Sequence, residues 1–147
     1  MKKSLDPSTI EAAHRGFDKQ GFMQLMGAKL TKIAYGHCEI ELPFDPKLTQ
    51  HHGVYHGGAV ATMADTAAGF AAYSVMTDGR QPLTIEFKIN LLAAASGGDL
   101  IARSDVLRAG RSVIHLRSDV FARQDGEEQH VATALVSMKS TKAVAEK

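Results

Sequence analysis

Asp65 is the residue of this 147-residue chain whose position most needs a chemical reason. It sits among Met63, Ala64, Ala67 and Ala68, inside an alanine-rich stretch of helix length that runs from Gly57 to about Met76. Aspartate is a poor helix-interior residue and is rarely buried without a partner. A carboxylate on an otherwise apolar helix costs stability, which points to a compensating role. The plainer alternative is a carboxylate hydrogen-bonded to a nearby threonine or backbone group. At the entrance to the same helix stands His56-Gly57-Gly58. The first N–H groups of a helix lack internal acceptors, and the helix dipole adds partial positive charge there. Glycine lets a substrate approach that backbone with no Cβ in the way. A carbonyl oxygen presented to the Gly57 N–H would be polarised, as in an oxyanion hole. Alternatively, Gly57-Gly58 serves only to let the helix pack against its neighbours.

Gly57 and Asp65 are eight residues apart, a rise of about 12 Å along a helix. One carbonyl group cannot lie within about 3 Å of both in the same chain. If both act on one substrate, they come from different subunits. A two-fold dimer with the two helices antiparallel would create two such sites.

The elements that must position these residues are readable from pattern. Asp6-Pro7 is a helix-start signal, and Ser8 with Glu11 could add a capping box. An N-terminal helical region is expected over about 7–26, broken near Gly21 and ended by Gly27. Alternation of Cys38, Ile40 and Leu42 with His37, Glu39 and Glu41 reads as a strand, paired with one before Tyr35-Gly36. Asp45-Pro46 opens a loop through Gln50 to His56. The helix from Gly57 is apolar nearly all round and has small side chains, so something wraps it closely. Strands are expected over 83–92, 100–109, 112–122 and 130–140, in a meander, with Leu83, Ile85, Phe87, Ile89 and Leu91 on one face. The tail over about 140–147 is polar and expected to fray. The order of elements implies a single α+β domain, 1–147, with one antiparallel sheet wrapped around a central helix.

Composition excludes other classes. Hydrophobic residues make up 44% and charged residues 22%, the balance of an ordinary globular protein. The net charge is +1, with 17 basic and 16 acidic residues and no basic block, so no nucleic-acid partner is expected. No signal sequence or apolar span long enough for a membrane helix is visible, so no membrane association and a cytoplasmic location are expected. The single cysteine, Cys38, can form no internal disulfide. His51, His52 and His56 resemble a metal cluster, but no further ligand stands at suitable spacing, and no metal is expected.

Gln50-x-x-Gly53-x-x-His56-Gly57-Gly58 followed by Asp65 resembles the motif of hotdog-fold acyl-CoA thioesterases of the phenylacetate-degradation and hydroxybenzoyl-CoA types. The resemblance covers about Gly21 to Ser140 and implies the hotdog fold. It implies hydrolysis of an acyl- or aroyl-CoA to the free acid and CoA, with no cofactor beyond the CoA of the substrate. Asp65 matches the acid that attacks the thioester or activates water, and Gly57 the glycine whose N–H binds the thioester oxygen. Gln50 matches a residue that contacts substrate or positions water, and His56 the catalytic-site histidine that fixes the loop and touches the thioester region. Gly58 falls at the same substrate-binding turn. Thr84 aligns with a hydroxyl residue that holds the water. Arg108 and Arg111, flanking Gly110, fall where basic residues approach the CoA phosphates; the alternative is two solvated arginines. The chain departs from the family in pairing Gln50 with Asp65, since aspartate branches typically carry Asn upstream. Gly69 also stands where some relatives place a hydroxyl. A homodimer or a dimer of dimers is implied. The alternative function is a non-catalytic acyl-CoA-binding hotdog module, which would not need the carboxylate. A hydratase of the same fold would place its His and acid differently.

Overall fold

The Asp6 carboxylate accepts the Ser8 N–H at 2.8 Å and starts the first helix, α1, Pro7–Asp18. This structure, a computed structural model, describes residues 3–142. α1 buries Ala13 and Phe17, and the short helix α2, Gly21–Met26, buries Met23 and Met26. Gly27 ends α2 with φ +79°, in the left-handed region that glycine enters without a Cβ penalty. The strands β1, Lys29–Ala34, and β2, His37–Leu42, form a hairpin. A single 3₁₀ turn at Pro46–Leu48 leads to the central helix α3, Gly57–Tyr73. Then come β3, Gln81–Leu91, β4, Asp99–Ala109, β5, Val113–Gln124, and β6, Glu127–Thr141.

α3 packs against all six of these strands, which explains its small side chains. Met63, Ala64, Ala67, Ala68 and Ala71 are fully buried. It stops at Tyr73, short of the expected Met76. The Ser74 hydroxyl donates to the Ala71 carbonyl at 2.7 Å and accepts the Gly36 N–H at 2.7 Å, which ties the helix end to the β1–β2 turn. The expected α+β arrangement, an antiparallel sheet around a central helix, is the arrangement found.

The strand order is β1-β2-β4-β5-β6-β3, with every neighbour antiparallel. The expected four-strand meander is therefore corrected. β4, β5 and β6 form one, but β3 lies at the far edge beside β6, and β4 lies beside β2. Sending β4 across to β2 lets the sheet cover both flanks of α3, which a β3–β4 hairpin would not. β6 runs to Thr141, into the stretch expected to fray; residues 143–147 of that expected tail lie outside the described residues.

A second correction concerns β3. Its register with β6 slips between Thr84 and Glu86, so Ile85 is the extra residue of a bulge. Thr84 stands opposite the buried Met138 and Phe87 opposite the buried Val136. The bulge thus puts Thr84 on the inner face with Phe87 and Ile89, while Leu83 pairs with Lys139 on the outer face. The regular alternation in sequence had hidden that switch.

The outer face of the sheet is charged. The Glu39 carboxylate meets Lys32 at 3.1 Å, His37 at 3.0 Å and Arg103 at 3.3 Å. Arg103 also makes paired hydrogen bonds to Glu128 at 2.6 and 2.7 Å. Burial pushes the Glu39 carboxyl up, but bonds from His37, Lys32 and Arg103 together outweigh it and hold the group at about 2.

Candidate active site

The loop before α3 is held by its own backbone. The Gln50 N–H donates to the Val54 carbonyl and the Gly53 N–H to the Gln50 carbonyl, both at 2.9 Å. The Tyr55 hydroxyl donates to the Gly98 carbonyl at 3.1 Å, and the His56 N–H to the Leu48 carbonyl at 2.9 Å. His56 then caps α3: its Nδ1 accepts the Gly58 N–H at 2.9 Å. That bond leaves the proton of the neutral ring on Nε2. The His56 carbonyl takes the Ala59 N–H at 2.9 Å and the Val60 N–H at 3.3 Å.

These bonds account for every N–H of the first turn except that of Gly57, which has no acceptor among the described residues. Gly58 was expected to touch substrate, but its N–H is spent on His56. A Cβ there would come within 3.0 Å of His56 Nδ1, so Gly58 makes the cap possible. A Cβ on Gly57 would lie 3.2 Å from Leu91 Cδ1. Gln50 stands nearby with its side-chain carbonyl accepting the His52 N–H at 3.0 Å, which leaves its NH₂ as the available donor. Gln50, Gly57, Val60, Leu91 and Val131 line one cavity of about 350 Å³.

Asp65 lies two turns along α3, half-buried. Thr84, aimed inward by the bulge, donates its hydroxyl to Asp65 Oδ1 at 2.8 Å. No other hydrogen bond reaches the carboxylate among the described residues. Burial raises the Asp65 pKa above its ordinary value, and the Thr84 bond opposes that only in part. Asp65 and Thr84 line a second, larger cavity of about 640 Å³ between α1, α3 and the start of β3. Phe70 and Tyr73 line it as well, whereas Met23 and Met26 belong to the core.

Ser118 is a positioning residue that sequence reasoning missed. It is fully buried on β5 and donates its hydroxyl to the Ala64 carbonyl at 2.8 Å, fixing α3 beside Asp65. Its signal was a serine in the inward alternation of Leu116, Ser118 and Val120.

The structure brings Asp65 to Thr84 and Gln50 to Gly57, but the two pairs line different cavities. Arg108 and Arg111 are exposed near the β4–β5 turn and line neither. The His51 and His52 rings lie against each other, centroids 3.9 Å apart, while His56 is committed to the helix cap.

An antiparallel six-stranded sheet curled on a buried central helix is the hotdog arrangement. Residues 52–129 match the thioesterase superfamily, and the chain belongs to it. A solved thioesterase family protein from Silicibacter pomeroyi is 33% identical, with a TM-score of 0.89 over 92% of this chain and 99% of that one. The proofreading thioesterase EntH of Cronobacter turicensis is 29% identical over 86 residues, 58% of this chain and 63% of that protein. The E. coli PaaI protein from the phenylacetic acid degradation operon is similar in fold: TM-score 0.83, 19% identity, 95% of this chain and 100% of that one. Thioester hydrolysis is the activity this membership supports.

Proposed function

We propose that the protein hydrolyses an acyl- or aroyl-CoA to the free carboxylic acid and CoA, as a symmetric dimer with sites shared between subunits. The observation that carries this reading is Asp65, a half-buried acid on an apolar helix, held by one hydrogen bond and open to a large cavity. Its free oxygen either attacks the thioester carbonyl carbon, forming an anhydride that water then opens, or takes a proton from the attacking water. In both routes the C–S bond breaks, CoA leaves as the thiol, and one water is consumed. The Gly57 N–H, with the α3 dipole behind it, stabilises the negative charge that grows on the thioester oxygen. The Gln50 NH₂ is placed to bind that oxygen or the water.

β3 supports the shared site. It is an edge strand with one side unpaired, and Leu83, Ile85 and Leu91 on it are 62%, 55% and 59% exposed. Such an edge is a template for pairing with another chain. Thr84 lies at the Asp65 end of β3 and Leu91 at the Gly57 end. Antiparallel pairing of two β3 strands about a two-fold axis sets the Gly57 cavity of one subunit against the Asp65 cavity of the other. That supplies what the rise between the two residues denies to one chain.

The test is release of free thiol from a panel of acyl-CoAs by the native protein and by Asp65→Asn. The variant should lose on the order of 10²–10⁴-fold in turnover. Near-native hydrolysis by a folded Asp65→Asn would remove Asp65 from the chemistry. Binding without thiol release by the native protein would favour the non-catalytic module.

A further inference from the structure

On the outer face of the sheet, opposite charges meet within the chain. Lys32 lies 3.1 Å from Glu39, Arg103 2.6 Å from Glu128, Arg117 2.9 Å from Asp119 and Arg123 2.8 Å from Glu41. Two charges on β3 break that pattern. Glu86 and Lys88 are exposed and project outward, since Lys88 stands opposite the exposed Leu135 while Phe87 between them stands opposite the buried Val136. Neither makes an ion pair among the described residues. Glu86 is nonetheless held in place. The Ser137 hydroxyl donates to Glu86 Oε1 at 3.0 Å, and His115 Nδ1 lies 3.1 Å from that hydroxyl oxygen. The serine proton goes to the carboxylate, so Nδ1 is the donor to Ser137. His115, Ser137 and Glu86 thus form a hydrogen-bonded row across β5, β6 and β3 that ends at the unpaired edge of the sheet.

The spacing of these two charges suits a two-fold axis. In an antiparallel pair, residues directly opposite each other project from the same face. For two subunits to join β3 to β3 with their inner faces continuous, the axis must therefore pass beside a residue and not between two. An axis at Glu86 sets two carboxylates against each other, and one at Lys88 sets two ammonium groups together. Like charges directly opposite are unfavourable. An axis at Phe87 places Glu86 opposite Lys88 of the partner subunit, and symmetry makes the same pair twice. That axis also sets the Thr84 end of β3, beside Asp65, against the Leu91 end of the partner's strand, the end that packs against Gly57. A slip of two residues moves one strand by about 7 Å along the other, enough to part the two halves of the site.

Resting on the shared-site reading above, we propose that Glu86 and Lys88 set the register of the dimer. Two symmetric ion pairs between the β3 strands fix Phe87 on the two-fold axis and so hold the Asp65 half of each site against the Gly57 half from the other chain. The occupant of the β3 edge is a second copy of this chain, because the edge is complementary in charge to itself about Phe87. Exposed ion pairs contribute little attraction in water. The selection comes from the like-charge contacts that the neighbouring registers would make. Glu86 and Lys88 are positioning residues, and neither lines the Asp65 cavity or the Gly57 cavity.

The experiment reads assembly and activity separately. Dimer dissociation is followed by sedimentation, and thiol release from a panel of acyl-CoAs is measured, for native protein, Glu86→Lys, Lys88→Glu and the double variant Glu86→Lys/Lys88→Glu. Each single reversal sets like charges opposite each other twice and should raise the dimer Kd by about tenfold or more, with kcat/KM falling as the dimer dissociates. The double variant restores both pairs with signs exchanged and should return to within about threefold of native. Where dimers are too tight for a Kd, Glu86→Lys chains co-refolded with tagged Lys88→Glu chains give the answer. The mixed dimer alone has opposite charges at both positions, so it should exceed the share of about one half that random pairing gives. Single reversals that dimerise as native protein does, with a mixture at the random share, overturn the register. So does a folded double variant that is not restored. Reversals that dissociate the dimer with kcat/KM unchanged overturn the positioning role together with the shared site. A native dimer that releases no thiol overturns the thioesterase reading alone, and native protein that stays monomeric overturns both the register and the shared site.

Discussion

Thr84 and Asp65 work as a pair whose balance can be read through pH. Burial raises the Asp65 pKa above its ordinary 3.8, and the Thr84 hydrogen bond draws it back in part. Asp65 must be ionised to act as nucleophile or base, so kcat/KM should rise with pH through its raised pKa. Thr84→Val removes a bond that favours the charged form, and the acidic limb should move to higher pH. Superposable native and variant profiles would show that Thr84 does not tune Asp65. The stability sign is opposite to that of a paired carboxylate. A folded pKa above the unfolded one means that the ionised group costs stability at neutral pH, a cost relieved as pH falls through the folded pKa. Asp65→Asn should therefore hold or raise Tm at neutral pH while turnover is lost. A lower Tm would mean that the carboxylate is part of what holds the fold.

Among the elements, the β1-β2-β4 face depends on charge where α3 depends on close packing. Glu39 joins β1 to β4 through Lys32 and Arg103, and Arg103 reaches on to Glu128 of β6. Its folded pKa of about 2 lies below the ordinary 4.5. The stabilisation from that shift is fully present above pH 4.5 and is lost as pH falls toward about 2. Glu39→Gln should lower the urea midpoint at neutral pH, and the gap from native protein should narrow by about pH 3. An equal gap at both pH values would assign the loss to packing. The bulge in β3 is the other element-scale device. One extra residue, Ile85, turns Thr84 from the solvent side toward α3 and so creates the Asp65 contact.

At the scale of the whole molecule, the unpaired edge of β3 and the separation of the two cavities make a prediction about assembly. Gly57→Val puts a side chain against Leu91 and blocks one half of the proposed site. Asp65→Asn disables the other half. A mixed dimer of the two places both defects in one site and leaves the second site intact. Two inactive parents should then regain activity on co-refolding, up to about half the native value per dimer, the fraction set by two-fold symmetry. Mixed dimers that form and remain inactive, with both parents folded, would contradict the shared site. So would full activity from a monomer.

The sequence by itself determined the elements and the suspects. The two-residue alternation marks the strands, and α3 is marked by its length and its small, nearly all-round apolar side chains. His56-Gly57-Gly58 and Asp65 stand out because glycine pairs and lone carboxylates cost something inside a helix. The rise per residue of α3 is also what makes the proposed shared site call for a second chain. Tertiary structure decided what depends on residues distant in sequence. That Ser118 fixes α3, that Gly58 serves the His56 cap while the Gly57 N–H has no acceptor among the described residues, and that β3 sits at the sheet edge all follow from strand order and cap geometry. The inward turn of Thr84 rests on a register slip against β6, which no local pattern encodes, because a bulge is defined only by the strand it pairs with.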